Sequence, residues 1–226
     1  ADAYIKMQER IEKFIEQRTL MLAGVSHDLR TPLTRIKLQL EMYSNQKGNE
    51  DLLKDVNEMQ YMLETYLDFS QTASSEESTE VNLNKLIENI IDTARGKTLS
   101  IAFKTSKIGH IKYFCKHIAL KRCIVNLINN AKVFGDEVQI SLIERKSLIK
   151  ISIDDNGPGI PKRDYGKSLK PFQRLDSSRN QNIAGSGLGL SISQEIASSL
   201  GGEINLSKSN LGGLRVTITL PVKKEI

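Results

Sequence analysis

Residues 26–34 of the chain read SHDLRTPLT, and the helical pattern around them decides the fold of the N-terminal part. With a step of about 100° per residue, the neighbouring apolar side chains fall within roughly 80° of arc, as in a helix that buries one face. These side chains are Leu22, Val25, Leu29, Leu33, Ile36 and Leu40. On the same helical wheel, His27 lies roughly 155° from the middle of this apolar stripe. The pattern therefore predicts a helix that offers an imidazole to solvent and partners, with Thr31 and Thr34 beside it.

A second helix is predicted after the first. Turn-forming residues 44–49 interrupt the helical pattern, and apolar side chains then recur at alternating spacings of four and three, at Leu52, Val56, Met59, Leu63 and Tyr66. Residues 1–71 are thus predicted to form a helical hairpin, which alone would leave much of its apolar surface uncovered. We expect two copies to cover it by forming a four-helix bundle. A plain coiled-coil spacer would also explain the stripe, although not the exposed face around His27.

The composition is that of a globular protein. Hydrophobic residues make up 39% of the 226 residues and charged residues 26%. Since no apolar run reaches about 18 residues, we expect a soluble, cytoplasmic portion; if the natural protein is membrane-bound, its spanning segment lies outside this chain. The net charge of +5 is spread along the sequence, which indicates anionic ligands such as nucleotides and no nucleic-acid partner. Cys115 and Cys123 lack metal-type spacing, so a reducing compartment is expected.

The remainder of the chain is predicted to form a second domain. Residues 72–80 are polar and non-periodic, which predicts a linker before a domain over residues 81–226. In that domain the patterns predict helices and strands without strict β-α-β alternation, as in an α+β sandwich. The predicted helices are 83–95, 118–132 and 191–200, and the predicted strands are 100–105, 138–144, 148–154, 203–206 and 214–220.

Two glycine-rich segments of the second domain have the chemistry of a nucleotide site. Residues 155–160, DNGPGI, directly follow a predicted strand; a carboxylate there can accept the adenine amino group, and the glycines permit close approach of the backbone. A tight turn is an equally good interpretation of this segment alone. Residues 185–190, GSGLGL, lead into the helix that begins at Ser191, where free amide groups can bind phosphate oxygens.

A third segment, residues 126–131, reads NLINNA and lies in the helix predicted for 118–132. Asn126 and Asn130 are four residues apart and so share one helix face. Two carboxamides are costly to bury in a mostly apolar helix unless they bind something, and hydrated magnesium with a triphosphate is such a ligand. A pair of solvated asparagines is the alternative interpretation.

In combination, these segments resemble the sequence boxes of the sensor histidine kinases. Residues 126–131, 155–160, 171–174 (PFQR) and 185–190 are similar, in order, to the N, G1, F and G2 boxes, and the stretch around His27 is similar to the H box. The resemblance covers essentially the whole chain. It implies a helical-hairpin dimerisation domain followed by an ATP-binding α+β sandwich of the type shared with the Hsp90 and MutL ATPases.

The resemblance also implies a role for each matching residue. His27 would accept the phosphoryl group, Asp28 would polarise its imidazole, and Thr31 would help to place water for removing phosphate from the partner. In the nucleotide site, Asn130 would hold magnesium and Asp155 would bind adenine. The other implied ligands of the nucleotide are Asn126, Phe134, Gly157, Gly159, Arg174, Gly185, Gly187, Leu188 and Gly189. A mobile lid would span roughly residues 162–186.

By the same resemblance, ATP and Mg²⁺ would support phosphorylation of His27, followed by transfer to an aspartate of a response-regulator receiver domain. The kinase would be a homodimer, would also dephosphorylate the regulator, and would be membrane-anchored at full length through segments absent here. One departure is Val133, since the family usually has Lys or Arg at this position of the N box. Val133 thus leaves open a degenerate kinase that acts as a scaffold or phosphatase. A stand-alone Hsp90- or MutL-type ATPase is a further alternative, against which the amides Asn126 and Asn130 count.

Overall fold

The computed structural model describes residues 7, 29–42, 49, 52–53, 56–57, 59–60, 63, 76–94, 100–106, 110–145, 147–171, 173 and 188–222. The chain divides into two compact units, Ala1–Ser75 and Glu76–Ile226. Among the described residues, no helix combines the length and the apolar character that a membrane span requires.

The N-terminal unit is helical at every described position. Residues 29–42 form one helix, and the described residues between 49 and 63 are also helical. The two helices contact each other, since the side-chain amide of Gln60 donates a hydrogen bond to Thr34 Oγ1 at 3.4 Å. Leu33 and Val56 are buried, as the apolar stripes predict. The unit is therefore helical as predicted, wherever the structure describes it.

The predicted stripes are only partly covered within one chain. Four members, Leu29, Ile36, Leu52 and Met59, keep between 44% and 53% of their surface exposed. Leu22, Val25 and Tyr66 lie outside the described residues. A single copy of the chain thus leaves an apolar surface on its hairpin, which is what a helix pair that requires a further partner would show.

The C-terminal unit contains seven strands and four α-helices in its described part, together with one 3-10 turn. In chain order they are β1 (Thr79–Asn82), α1 (Leu83–Ala94), β2 (Ser100–Thr105), β3 (Lys112–Cys115), α2 (His117–Phe134), β4 (Glu137–Arg145), β5 (Leu148–Asp155), the 3-10 turn (Lys162–Asp164), α3 (Tyr165–Ser168), α4 (Gly189–Ser199), β6 (Glu203–Lys208) and β7 (Leu214–Pro221).

Five strands form one mixed sheet in the order β2-β4-β5-β7-β6, and β1 pairs with β3 in a separate antiparallel pair. In the large sheet, β2 is parallel to β4 and the other pairs are antiparallel. Every second residue of the central strands is buried against the helices, which gives the sheet one apolar face. The buried strand residues are Val138, Ile140, Leu142, Ile149, Ile151, Ile153, Leu214, Val216, Ile218 and Leu220. The predicted α+β sandwich is confirmed.

Helices α1, α2 and α4 supply the apolar side of this core. Their buried side chains recur at helical spacing, for example Ile87, Ile90 and Ile91 in α1 and Leu120, Ile124 and Leu127 in α2. Helices α2 and α4 lie side by side, because Ser193 Oγ donates to the Cys123 carbonyl at 3.4 Å and Cys123 Sγ donates to the Ser193 carbonyl at 3.5 Å. This pairing fixes the relative position of the two helices that carry predicted nucleotide ligands.

All helices and strands predicted for this unit are present, but β1, β3 and α3 were not predicted. Each of the three has only four residues, too few to show a clear periodicity. The structure also corrects the C-terminal end of the linker predicted for 72–80, because Thr79 and Glu80 belong to β1 and Glu76 contacts α2. These contacts are made to residues far along the chain, so local composition could not reveal them.

Candidate functional site

Asp155 lies at the end of β5 and is buried, with 4% of its surface exposed. Its Oδ1 accepts hydrogen bonds from the backbone N–H groups of Gly157, at 2.9 Å, and Leu214, at 3.0 Å. Burial raises the pKa of this carboxyl, the two backbone hydrogen bonds lower it, and the negative charge of Asp154 raises it again. A buried carboxylate with a raised pKa and a fixed orientation is typical of a binding or catalytic site.

Glycines surround this carboxylate where no side chain would fit. A Cβ on Gly157 would lie 2.7 Å from the carbonyl oxygen of Phe134 and 3.0 Å from Asp155 Oδ1. Gly159 has φ of 69°, in the left-handed region that other residues rarely adopt. At Gly157 a side chain would collide with neighbouring atoms, and at Gly159 the backbone conformation disfavours one. Glycine is therefore required at both positions of the segment that was predicted to approach a base.

The two asparagines predicted to bind the nucleotide lie on α2, as expected from their spacing. Asn126 Nδ2 is buried and makes no hydrogen bond within the part of the chain that the structure describes. An unpaired buried amide donor destabilises a fold, so this group is suited to an anionic ligand such as a phosphate oxygen. Asn130 is half-buried one turn further along, with an amide oxygen of the kind that Mg²⁺ prefers.

The beginning of α4 is close to this helix face. A Cβ on Gly189 would lie 4.0 Å from the carbonyl oxygen of Asn126. Leu188, the residue before α4, is buried, and its carbonyl accepts hydrogen bonds from Ile192 N and Ser191 Oγ, both at 2.9 Å. The N-terminal end of α4, which carries the positive partial charge of a helix N-terminus, thus lies beside Asn126.

The basic position missing from the N box is not supplied by the neighbouring lysine. Val133 is exposed, and the Lys132 ammonium donates a 2.6 Å hydrogen bond to the carbonyl of Ala94, at the C-terminal end of α1. This contact is favourable because the end of a helix carries negative partial charge. Phe134, the predicted aromatic neighbour of the base, is half-buried, and its carbonyl faces Gly157.

In the N-terminal unit, Thr31 is exposed on the helix over residues 29–42. It lines a surface depression with Arg30, Thr34, Arg35 and Leu38. Thr34 Oγ1 is occupied, since it donates to the Arg30 carbonyl at 2.9 Å. The depression is therefore cationic, and the Thr31 hydroxyl lies in it on the face that was predicted to be open.

Several predicted residues cannot be placed. His27, Asp28, Arg174, Gly185 and Gly187 lie outside the described residues. Of the predicted lid over 162–186, residues 162–171 and 173 are described, and they include the 3-10 turn and α3. Among the described residues, the structure brings Asp155, Gly157 and Phe134 together in one group and Asn126 and Gly189 in another. Helix α2 connects the two groups, because it carries both Phe134 and Asn126.

Three residues of the site were missed by the sequence analysis. Leu214 donates its N–H to Asp155, Gly213 donates its N–H to the Asp155 carbonyl at 3.1 Å, and the Asn156 side chain fastens residues 136 and 137 to the end of β5. The glycine pair Gly212-Gly213, directly before a predicted strand, was the available signal, since glycine there often marks a close backbone approach. Asn156 gave no such signal.

Comparison with protein families gives two matches on consecutive parts of the chain. Residues 17–98 match the family described as "His Kinase A (phospho-acceptor) domain". Residues 115–224 match the family described as "Histidine kinase-, DNA gyrase B-, and HSP90-like ATPase". The first match includes the described helix over 29–42, and the second includes Asn126, Asn130 and Asp155.

Curated relatives span both matches. The sensor histidine kinase GtrS of Pseudomonas aeruginosa is 34% identical over 224 residues, which are 98% of this chain and 46% of the relative. The sensor protein RstB of Escherichia coli is 30% identical over 230 residues, 97% of this chain and 52% of the relative. The chain thus spans about half the length of the curated relatives it matches.

Solved structures give the same picture for the fold. Full-length ShkA in complex with AMPPNP superposes with a TM-score of 0.70 over 91% of this chain and 46% of that chain, at 19% identity. The catalytic domain of the histidine kinase ThkA superposes with a TM-score of 0.56 over 66% of this chain and 99% of that chain, at 25% identity.

Proposed function

Since the chain belongs to the sensor histidine kinases, which join a phospho-acceptor domain to an ATP-binding domain, we propose that its C-terminal unit binds ATP and phosphorylates His27 of its N-terminal unit. Within the family, residues 23–36 resemble the osmosensor EnvZ. The observation that carries the proposal is the buried Asp155 carboxylate, held by two backbone N–H groups among glycines that the close approach of the backbone requires.

Asp155 is the residue that would recognise adenine. Gly157 and Leu214 occupy Oδ1, while Oδ2 accepts no hydrogen bond from the described part of the chain. An ionised carboxylate accepts hydrogen bonds only, so it pairs with the amino group of adenine and disfavours the carbonyl oxygen that guanine has there. Gly157 and Gly159 let the backbone lie beneath the base, and Phe134 flanks it.

The phosphate end would lie between α2 and the start of α4. The Asn126 amide, which has no partner in the described part of the chain, would donate to a phosphate oxygen. Gly185, Gly187, Leu188 and Gly189 would bind the phosphates through their backbone amide groups. Asn130 fits a magnesium ion, because Mg²⁺ binds proteins through one or two oxygen ligands and completes its shell with water and phosphates. When bound, Mg²⁺ neutralises charge on the β- and γ-phosphates. Arg174 would contact the γ-phosphate.

The reaction transfers one phosphoryl group to an imidazole. Nε2 of neutral His27 attacks the γ-phosphorus, the bond to the bridging oxygen breaks, and ADP leaves with that oxygen. Asp28 accepts a hydrogen bond from Nδ1–H, which keeps the lone pair on Nε2 and stabilises the charge that forms on the ring. The N–P bond is labile, so His27 serves as a relay to an aspartate of a response-regulator receiver domain.

The partners follow from the same assignment. Histidine kinases dimerise through the phospho-acceptor domain. We propose a homodimer for this chain because its hairpin leaves apolar side chains uncovered. The receiver domain docks on the open helical face, where Thr31 places the water that removes phosphate from the regulator's aspartate. Membrane anchoring would come from segments outside this chain.

One observation favours a second candidate, a kinase that binds ATP weakly and acts as a scaffold or phosphatase. Val133 offers no charge to the phosphates, and Lys132 is held at the end of α1. The stand-alone ATPase has no such support, since Asn126 and Asn130 are amides and lack the basicity of a catalytic carboxylate.

Incubation of the full chain with γ-labelled ATP tests the assignment. We expect acid-labile label on the wild type, none on His27→Gln and none on Asp155→Asn. Release of phosphate without labelled protein would indicate the ATPase instead, and ADP binding without either product would indicate the degenerate kinase.

Thr31→Arg tests the division of roles on the helical face. This variant is expected to retain labelling of His27, because Thr31 has no contact with the nucleotide in the proposal, and to lose dephosphorylation of a phosphorylated receiver domain. A parallel fall of both activities would contradict the separate role of Thr31.

A further inference from the structure

An ion pair lies on the side of the large sheet that faces away from the helices. Asp154 is completely buried, and its Oδ1 accepts a 2.8 Å hydrogen bond from Arg215 Nε. Its Oδ2 is buried without a hydrogen-bond partner in the described part of the chain. Within the described part of the chain, the Asp154 carboxylate is therefore paired with Arg215, whose side chain is 29% exposed.

The ion pair is also the last rung of a ladder that ends at the candidate adenine site. Asp154 and Arg215 face each other directly in the antiparallel pairing of β5 with β7. One residue further along each strand, Leu214 N donates to Asp155 Oδ1 and Gly213 N donates to the Asp155 carbonyl. Because successive side chains of a strand point to opposite faces, Asp154 lies behind the sheet and Asp155 in front of it.

We propose that Arg215, acting through Asp154, is a positioning residue for adenine recognition: the ion pair fixes the register at which β7 presents Leu214 N–H to Asp155, and it offsets the buried negative charge next to that carboxylate. The inference rests on the proposed function, in which Asp155 binds the adenine amino group. Arg215 itself lies on the opposite side of the sheet from the base.

Electrostatics give this arrangement a measurable signature. The charge of Asp154 raises the pKa of Asp155, and Arg215 lies against Asp154 with the opposite charge. Among the described residues, the other charged groups at this end of the sheet are the exposed Asp136, Glu137 and Lys208. Asp136 accepts a hydrogen bond from the Asn156 amide at 2.7 Å, and Lys208 of β6 pairs with Leu214. Loss of Arg215 therefore leaves an uncompensated carboxylate beside Asp155 and raises the pKa of Asp155 further.

The test measures the affinity of the full chain for Mg²⁺-ADP by calorimetry across a pH series. Binding requires ionised Asp155, so affinity falls as the pH drops through the pKa of that carboxyl. The pH midpoint is the pH at which the acid-dependent loss of affinity is half complete. For Arg215→Gln we expect about a tenfold loss of affinity near neutral pH, which corresponds to the free energy of about one hydrogen bond. We also expect the pH midpoint of this variant to lie above that of the wild type. Asp154→Asn is expected to move the midpoint downward. The double variant Asp154→Asn/Arg215→Gln should return both affinity and midpoint towards the wild type, because the two charges are removed together.

Thr217→Val is the matched control, because it removes a neighbouring cross-strand hydrogen bond, Ser152 Oγ to Thr217 Oγ1 at 3.0 Å, on the same face of the sheet without a change of charge. Its pH midpoint should equal that of the wild type. If Arg215→Gln does not fold, Asp154→Asn and the double variant carry the test alone.

Four outcomes would contradict the inference or the proposed function on which it rests. Unchanged affinity and midpoint in Arg215→Gln would show that the ion pair does not act on the site. A uniform loss of affinity at all pH values, without recovery in the double variant, would show a structural role only. Wild-type ADP affinity in Asp155→Asn would instead reject the adenine assignment of the proposed function. Loss of binding in Asp155→Asn, together with wild-type affinity and pH midpoint in Arg215→Gln, would reject only the positioning role.

Discussion

The two units of the chain differ in how completely they bury their apolar side chains. In the C-terminal unit, large side chains of the helices and the sheet, such as Ile87, Leu120 and Ile151, have no exposed surface. In the N-terminal unit, Leu33 and Val56 are the buried apolar residues among those described, and members of the same stripes such as Leu29 and Ile36 remain about half exposed. The C-terminal unit (residues 76–226), called the catalytic unit below after its proposed function, completes its own core. The N-terminal unit (residues 1–75) does not.

The two units therefore obtain their stability from different contacts. A mixed sheet covered by helices buries its apolar face within one chain. A two-helix hairpin has no second layer, so its remaining apolar stripe requires a further partner, which in our proposal is another copy of the chain. We therefore expect the stability of the hairpin to depend on protein concentration, and that of the catalytic unit to be independent of it.

The largest expected effect comes from a charge on the exposed part of the stripe. Ile36→Glu should raise the dimer dissociation constant by about a hundredfold, because a carboxylate would be buried in the interface without a partner. Analytical ultracentrifugation of the full chain over a concentration series measures this. Leu38→Glu is the matched control: Leu38 is 55% exposed on the same helix but lies roughly 160° around it from Ile36.

The control variant should remain dimeric. Dimerisation unaffected by Ile36→Glu, or abolished equally by both substitutions, would mean that the stripe is not the interface. In either case the comparison between the two units would lose its physical explanation.

Much of this architecture could be predicted from the sequence because its signals are local. The alternation of Val138, Ile140 and Leu142 gives strand β4, and the spacing of Asn126 and Asn130 places both on one face of α2. Asp155, followed by glycines, marks the end of a buried strand. Each of these features is contained in fewer than about ten consecutive residues, within the range in which periodicity is informative.

The parts that could not be predicted depend on contacts between distant residues. Leu214 reaches Asp155 across 59 positions of sequence, and Glu76 reaches the start of α2 across 42. Strands β1 and β3 are short and pair with each other rather than with the main sheet. No local pattern encodes such pairings. The incomplete burial of the hairpin stripe, by contrast, was expected from the amphipathic pattern of residues 1–71.

An effect of intermediate size on the stability of the catalytic unit is expected from removing the carboxylate of Glu76. Its Oε1 and Oε2 accept hydrogen bonds from Ile118 N at 2.6 Å and Ala119 N at 3.1 Å, at the start of α2, whose own cap residue Lys116 makes no such bond. The side chain is only 9% exposed. Glu76→Ala should lower the free energy of unfolding of this unit by about 1–2 kcal/mol, because two N–H groups and a favourable helix charge lose their partner.

Glu80→Ala is the control for this substitution. Glu80 forms an exposed ion pair with Lys112 at 2.7 Å, and exposed pairs contribute less than about 1 kcal/mol. Denaturant unfolding followed at the catalytic unit should separate the two variants, while the dimer dissociation constant stays the same in both. Equal stabilities would exclude Glu76 as a cap of α2.

The smallest expected effect concerns Asp155 in the absence of nucleotide, where a binding group destabilises the unit that holds it. Burial raises the pKa of Asp155 above its ordinary value of 3.8. Between the unfolded and the folded pKa, the folded unit holds more protons than the unfolded chain, so stability falls as the pH rises through this window and stays lower above it.

Asp155→Asn removes that loss while keeping an oxygen for Gly157 and Leu214. We therefore expect nucleotide-free Asp155→Asn to unfold at a slightly higher temperature than the wild type at neutral pH, by less than Glu76→Ala lowers it. A melting series from about pH 4 to about pH 8 should show the two proteins converging at the acidic end. A variant less stable than the wild type at neutral pH would mean that the carboxylate contributes to the fold, and that the catalytic unit gives up no stability for its ligand.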